Sequence, residues 1–214
     1  MWFVGRRLKK LFMLGGLIKM LKNPNEYEKG KTIVYLVRHG DRIHIPNSPD
    51  IGLEISGPGL SEKGKKQAKD VAKKFSKIKE EVDVLYCSGM TRAIETAEEI
   101  GKKIGKKPKI VKGLSEYDII AWTKKFHKKD FWKSYSRHRK SIKVFNRILE
   151  KERGNVIVVV VHGNVIKGLI LRKMGLSRKK CSMFHHMNCH VSIARYVGKK
   201  LNHVCCYNNK NLDH

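Results

Sequence analysis

The sequence predicts a single-domain α/β protein in which helices cover both faces of a mainly parallel central sheet. The strongest indications are two apolar, β-branched runs, Ile33–Val37 and Val156–Val161, which are typical of strands buried on both faces. Helical patterns and short apolar runs alternate between them, as in consecutive βαβ units. With 214 residues, 41% of them hydrophobic, the chain is long enough to bury one sizeable core.

The remaining elements follow from local patterns. The stretch Ile43–Gly59 is rich in proline and glycine and is expected to form a loop over the ends of the strands. Ser61 and Asn164 are expected N-caps, because a short polar side chain can accept a hydrogen bond from a free N–H group of the helix. The predicted elements, in order, are a helix from Ser61 to about Ile78, a strand Val82–Tyr86, a helix Thr91–Ile104, a strand Lys109–Val111, a helix Val165–Met174, and a hairpin of Val191–Val197 and Leu201–Cys205 that turns at Gly198.

Both strong strands end in a histidine followed by a glycine. The first ends in Arg38-His39-Gly40-Asp41-Arg42 and the second in His162-Gly163. Ligands of open α/β sheets bind beyond the carboxyl ends of the strands, so the two imidazoles are expected to meet at one site. The planar guanidinium of arginine suits the oxygens of a phosphate, which indicates an anion-binding site.

Four ordered blocks carry a family resemblance. They are Leu36–Gly40, Gly59–Ala68, Tyr86–Ala97 and Val161–Ile166, and the similarity extends over about residues 31–170. A single Arg-His-Gly would be a weak signal, whereas four blocks in the expected order are a strong one. The chain resembles the histidine phosphatase superfamily, the phosphoglycerate-mutase-like proteins. This resemblance implies a three-layer α/β/α fold and a phosphatase that hydrolyses phosphomonoesters of small molecules or phosphoproteins.

The resemblance also implies roles for individual residues. His39 matches the histidine that becomes phosphorylated, and Arg38, Arg92 and His162 match the pocket that holds the phosphate. Arg42 resembles an additional pocket arginine of some phosphatase branches. Ser88 is expected to shape the turn that presents Arg92 and not to act as a nucleophile.

Glu116 lies where many family members carry the acid that protonates the leaving group, and Asp118 is the alternative. Such an acid needs its pKa raised toward neutrality to hold a proton at working pH. Either carboxylate could instead pair with a pocket arginine.

Cofactors and metals are not expected, because arginines and histidines supply the positive charge. A rival zinc site matches no tight ligand spacing; its candidate ligands are Cys181, His185, His186, Cys189, His190 and His203.

Two further functions stay open. Family mutases typically continue after Arg-His-Gly with glutamate, a small polar residue and a Trp-Asn pair, whereas this chain has Asp41-Arg42, which favours a phosphatase over a phosphomutase. The formal net charge of +28 also allows a basic protein that binds nucleic acid or anionic membranes on a phosphatase scaffold. Five cysteines without framework spacing favour a reducing, cytoplasmic setting.

The expected division of the chain begins with residues 1–22, where apolar side chains interleave with lysine and arginine. This pattern predicts a basic amphipathic helix on an anionic membrane surface, since its apolar runs are too short to span a bilayer. A helix packed on the catalytic domain, or an extension upstream of a start at Met20, are the alternatives. Residues 23–31 are expected to be a linker, 32–207 the phosphatase domain with a variable lid at 114–138, and 208–214 a loose tail.

Overall fold

The structure is a computed structural model that describes residues 30–44, 57–117 and 128–212. Several sequence predictions lie outside these residues: the amphipathic segment 1–22, most of the linker, part of the loop between Ile43 and Gly59, the middle of the lid, and Asp118. They stay predictions.

The described residues form six strands and five α-helices. In chain order these are β1 (Lys31–Arg38), α1 (Glu62–Phe75), β2 (Val84–Ser88), α2 (Thr91–Ile104), β3 (Lys109–Val111), α3 (Lys128–Lys151), β4 (Val156–Val161), α4 (Gly163–Leu169), α5 (Arg178–Ser182), β5 (Val191–Val197) and β6 (Lys200–Asn209). A short 3₁₀ turn, Ser76–Ile78, extends α1 to the predicted helix end. No helix in the described ranges is long and apolar enough to cross a membrane.

The strands form one sheet in the order β3-β2-β4-β1-β5-β6. The pairs β2–β3, β2–β4 and β1–β4 are parallel, and the hairpin β5–β6 is added antiparallel to β1. The register places Arg38 opposite Val161, so β1 and β4 end at the same edge. The predicted fold class is therefore confirmed, with an antiparallel hairpin at one side of an otherwise parallel sheet.

The core lies on both faces of the sheet, because side chains alternate along each strand. On one face Val34 and Leu36 of β1 join the cluster that contains Phe145 of α3 and the buried residues of α4. On the other face Tyr35 and Val37 join the cluster formed with α1 and α2. Burial on both faces explains why β1 and β4 have uninterrupted apolar sequences.

Some local predictions were wrong in detail. His162, not Asn164, occupies the N-cap position of α4, and Asn164 lies inside the helix, where its side chain donates to the carbonyl of Tyr117 at 2.9 Å. The helix is also shorter than predicted and ends at Leu169. By contrast, Ser61 caps α1 as predicted, with its hydroxyl accepting from the Gly64 N–H at 3.1 Å. At the domain edges, β1 begins at Lys31 and β6 continues to Asn209, which takes the first residues of the expected tail into the sheet.

Candidate active site

The two histidines meet where β1 and β4 end. The Arg38–Val161 register continues one residue further, since the His39 N–H donates to the carbonyl of Val161 at 3.0 Å. His162 follows directly on β4, and the ring centroids of His39 and His162 are 5.0 Å apart. This juxtaposition confirms the expectation that two imidazoles share one site.

The hydrogen bonds of His39 define its tautomer. Nδ1 lies 2.6 Å from the carbonyl oxygen of Gly40, and the Nε–H of Arg92 points to Nε2 at 3.1 Å. A carbonyl only accepts and a guanidinium only donates, so the proton is on Nδ1 and the lone pair on Nε2. Burial, and next the Arg92 guanidinium, hold the pKa of His39 well below its usual value. The imidazole is therefore neutral and has a nucleophilic nitrogen.

His162 is fully buried beside it and is also held neutral. Its Nε2 lies 2.9 Å from the hydroxyl of Ser88. Burial lowers its pKa well below the usual value, helped by His39 and the two arginines Arg92 and Arg38. Within the described part of the chain, its buried Nδ1 has no hydrogen-bond partner. An unsatisfied buried ring nitrogen is costly, which suits a position that a ligand oxygen occupies during the reaction.

Two arginines line the pocket from different elements. Arg92 comes from the first turn of α2 and is 2% exposed. Arg38 is the last residue of β1, and its guanidinium donates to the carbonyl of His186. The Nε of Arg38 is buried and, among the described residues, has no hydrogen-bond partner. Gly163 lies against this guanidinium, since a Cβ added there would be 3.5 Å from the Nε of Arg38. One buried and one partly buried guanidinium group make the pocket strongly attractive to a phosphate.

Glu116 enters from the loop that follows β3. One of its carboxylate oxygens accepts the Tyr117 N–H at 3.1 Å. Burial raises the pKa of Glu116 to about 7, although this hydrogen bond and the charges of Arg38 and Arg92 act in the opposite direction. A carboxyl with this pKa holds its proton for part of the time at neutral pH, as a general acid requires. The next residue, Tyr117, accepts a hydrogen bond from the Asn164 side chain at 2.9 Å, so this loop is attached to the first turn of α4, directly after His162.

A set of polar side chains that the sequence did not single out supports the site. The Gly40 N–H donates to the hydroxyl of Thr96 at 3.0 Å, and that hydroxyl donates to the carbonyl of Arg92 at 2.7 Å. The side-chain amide of Asn188 donates to the carbonyl of His39 at 2.9 Å. These bonds connect the turn after β1 to α2 and to the loop before β5. Thr96 belongs to the Tyr86–Ala97 block, so the sequence could have indicated its role in the site. Nothing in the local sequence indicates a role for Asn188.

The other candidate residues have less central positions. Arg42 is half-buried, and its Nη1 donates to the carbonyl of Ile43 at 3.3 Å, while its charge contributes only weakly to the lowered pKa of His39. The hydroxyl of Ser88 accepts from the Met90 N–H at 3.4 Å, so it shapes the turn as expected and also contacts His162.

The candidate ligands of the rival zinc site include His186, whose ring bonds to the hydroxyl of Ser192 at 2.8 Å. No three histidine, cysteine or acidic side chains converge as a metal site among the residues that the structure describes.

Comparisons with known proteins agree with this geometry. Residues 34–209 match the model of the histidine phosphatase superfamily, branch 1. The chain is 29% identical over 201 residues to phosphoserine phosphatase 1 of Hydrogenobacter thermophilus, covering 79% of this chain and 92% of that protein. It is 27% identical over 171 residues to phosphoglycerate mutase-like protein 4 of Arabidopsis thaliana, covering 68% and 73%. Among solved structures, YhfR of Bacillus stearothermophilus superimposes with a TM-score of 0.67 at 22% identity, covering 83% of this chain and 97% of that one.

Proposed function

Because the chain belongs to the histidine phosphatase superfamily and is a phosphatase, we propose that it hydrolyses phosphomonoesters through a covalent phosphohistidine on His39. The observation that carries this proposal is the neutral, buried imidazole of His39, whose Nε2 accepts from the Arg92 Nε–H at 3.1 Å and whose ring lies 5.0 Å from that of His162. A neutral nitrogen surrounded by hydrogen-bond donors is the arrangement that transfer of a phosphoryl group to histidine requires.

In the first step, the phosphate dianion enters the pocket and takes the Arg92 guanidinium as a ligand, which frees the Nε2 of His39. The lone pair of Nε2 attacks phosphorus in line, a P–N bond forms, and the P–O bond to the leaving group breaks. Glu116 gives its proton to the leaving oxygen. The Nδ1–H bond to the Gly40 carbonyl stabilises the positive charge that develops on the ring.

In the second step, water replaces the leaving alcohol. The Glu116 carboxylate takes a proton from this water, the oxygen attacks phosphorus, and the P–N bond breaks to release inorganic phosphate and neutral His39. Both arginines hold the equatorial oxygens of phosphorus in both steps, where negative charge is distributed in the transition state. Glu116 alternates between acid and base, which a pKa near neutrality permits.

The relatives support a phosphorylated small molecule as the substrate. One is named a phosphoserine phosphatase and the other a phosphoglycerate mutase-like protein, so both names refer to small phosphorylated carboxylic acids. Phosphatase activity is favoured over mutase activity by the Asp41-Arg42 that follows Arg-His-Gly. The Asp41 carboxylate accepts a hydrogen bond from the Ser61 hydroxyl at 2.6 Å. This position fixes the start of α1 and replaces the glutamate that the mutase pattern has after Arg-His-Gly.

The test is the hydrolysis of p-nitrophenyl phosphate by wild type and by His39→Ala, with a chelator present. Turnover should fall by about 10³-fold or more in the variant, as expected for loss of a nucleophile. Quenching the wild type in alkaline denaturant, where P–N bonds survive, should trap a phosphoenzyme that His39→Ala lacks. His203→Ala, which changes an exposed histidine of β6, is the matched control and should behave like wild type. Full turnover by His39→Ala would overturn the proposal.

A further inference from the structure

The loop between α5 and β5 exposes three large apolar side chains within five residues. Met183 is 74% exposed, Phe184 40% and Met187 54%. Scattered exposed apolar residues are ordinary, but several on one short segment indicate a surface that contacts another apolar phase. The loop has its own buried anchor, because His186 is 2% exposed and bonds to Ser192 at 2.8 Å. The anchored backbone therefore keeps the two methionines in solvent.

This loop is attached directly to the catalytic pocket. The carbonyl of His186 accepts from the Arg38 guanidinium, and the side-chain amide of Asn188 donates to the carbonyl of His39 at 2.9 Å. The Cys189 N–H donates to the carbonyl of Arg38 at 2.9 Å. The apolar side chains are consequently held beside the pocket, at the edge where β1 ends.

Positive charge directly precedes these apolar side chains in the chain. The preceding helix α5 carries Arg178, Lys179 and Lys180, and both lysines are exposed. Between Glu152 and Asp213 the chain contains no acidic residue at all. No carboxylate of this long segment can therefore neutralise the cations of α5.

An exposed aromatic residue extends the same surface toward α3. The guanidinium of Arg178 lies over the ring of Tyr135, with 5.4 Å from its central carbon to the ring centroid. Tyr135 in turn contacts Trp132 at a centroid distance of 6.0 Å, and Trp132 is 62% exposed. Tryptophan, phenylalanine and flanking lysine or arginine are the residue types that hold proteins at the boundary between lipid head groups and acyl chains.

We propose that Met183, Phe184, Met187 and the cations of α5 form a docking surface for an anionic lipid bilayer, which holds the catalytic pocket at the membrane. The apolar side chains enter the head-group region while Lys179 and Lys180 contact anionic lipids. A nucleic acid would also attract the lysines, but its phosphate backbone offers no apolar environment to exposed methionines. An anionic bilayer offers an apolar environment to the methionines and phenylalanine and negative charge to the lysines. This surface includes none of residues 1–22 and does not depend on the proposed catalytic mechanism.

The experiment measures binding of the full chain to phosphatidylcholine vesicles with and without phosphatidylserine. Wild type should bind the anionic vesicles. Met183→Ser with Met187→Ser should reduce partitioning by about tenfold. Lys179→Gln with Lys180→Gln should reduce it by about fivefold per lysine replaced. Met183 and Met187 are the most exposed of the three apolar side chains of the loop, so the methionine variant should fold normally, which circular dichroism checks.

Matched controls lie elsewhere on the molecule. Ile110→Ser with Val197→Ser removes two exposed apolar side chains, 55% and 48% exposed, from other parts of the sheet. Lys103→Gln with Lys107→Gln removes two exposed lysines, one in the last turn of α2 and one just after that helix. Both controls should bind like wild type. Every variant should hydrolyse soluble p-nitrophenyl phosphate at the wild-type rate, which separates this test from that of the catalytic proposal.

Three results would overturn the proposal. The first is wild-type binding by both the methionine and the lysine variants. The second is an equal loss in the matched controls, because binding would then depend on the total charge or the total exposed apolar area and not on this surface. The third is unchanged vesicle binding with lost binding to a single-stranded oligonucleotide, which would assign the surface to nucleic acid.

Discussion

At the scale of single residues, the protonation state of Glu116 sets the expected pH dependence. Its pKa is raised to about 7 by burial, so the acid form is present below pH 7 and is lost as the pH rises through that value. Protonation of His39 should not lower the activity near neutral pH, since the pKa of His39 is well below the usual value. Activity toward an alkyl phosphate should therefore fall above about pH 7.

Glu116→Gln tests this role because it removes the proton while keeping the shape. Hydrolysis of an alkyl phosphate should fall by about 10²-fold or more and lose its dependence on pH near 7. Hydrolysis of p-nitrophenyl phosphate should fall much less in the first step, since its leaving oxygen needs little protonation. Burst kinetics with both substrates would measure the first step separately. Equal losses for the two leaving groups would contradict the assignment of Glu116 as the acid.

The same raised pKa predicts an effect on stability. The unfolded chain releases the Glu116 proton near the ordinary value of 4.5, whereas the folded chain holds it to about 7. The unfolded state therefore binds fewer protons between these values, and the free energy of unfolding falls as the pH rises from about 4.5 to 7. Glu116→Gln has no such titration, so above pH 7 its free energy of unfolding should exceed that of wild type by up to about 3 kcal/mol.

Urea unfolding at pH 8 and at pH 4 measures this difference. The gain should be present at pH 8 and vanish at pH 4, where the carboxyl is protonated in both states. Glu98→Gln, on the exposed face of α2, should change stability little at either pH. A Glu116→Gln protein that is less stable than wild type at pH 8 would show that the carboxylate is paired in the folded state. An enzyme that is more stable without its acid would be a case of stability given up for activity.

At the scale of elements, the approach of α1 to the turn after β1 depends on one glycine. A Cβ at Gly64 would lie 1.9 Å from the carbonyl oxygen of Asp41, and a backbone oxygen cannot move aside as a flexible side chain can. Gly64→Ala should therefore cost about 3 kcal/mol or more in the free energy of unfolding, although alanine favours helix. Thermal or urea unfolding measures the loss. Lys63→Ala, one residue earlier and exposed, should be nearly neutral.

The elements also show how much the sequence could predict. Strands β1, β4 and β5 and helix α2 have strong local patterns, and the structure has all of them close to their expected bounds, whereas β6 continues four residues past the predicted end at Cys205. Asn164 was misplaced because cap preference is local, whereas its side chain is taken by the carbonyl of Tyr117, which is distant in the chain. The meeting of His39 and His162 could be predicted because parallel strands end at one edge. The contribution of Asn188 could not, because a hydrogen bond to the His39 carbonyl depends on the path of an irregular loop.

At the scale of the whole molecule, the charge is distributed very unevenly between the pocket and its surroundings. In the described part of the chain, the cations that act on His39 are the buried Arg92 and the partly buried Arg38 and Arg42, while the formal net charge of the chain is +28. Most of this charge consequently lies on the surface, for example on the exposed lysines of α1. Such a surface does not change the chemistry at phosphorus, but it creates a positive field that extends into solvent.

This field should increase the rate at which phosphorylated substrates reach the pocket. Its range shrinks as salt is added, since the Debye length is about 30 Å at 0.01 M salt and about 8 Å at 0.15 M. For a dianionic phosphomonoester, kcat/KM should therefore fall by about tenfold or more over this range, whereas kcat should change little because the bound substrate is held by the pocket arginines. Steady-state kinetics in sodium chloride and in sodium acetate at matched ionic strength distinguish screening of the surface field from competition between the added anion and the substrate. Screening gives the same decline in both salts, whereas an anion that occupies the phosphate pocket gives different declines. A kcat/KM that does not change with ionic strength would show that the surface charge does not help to capture the substrate.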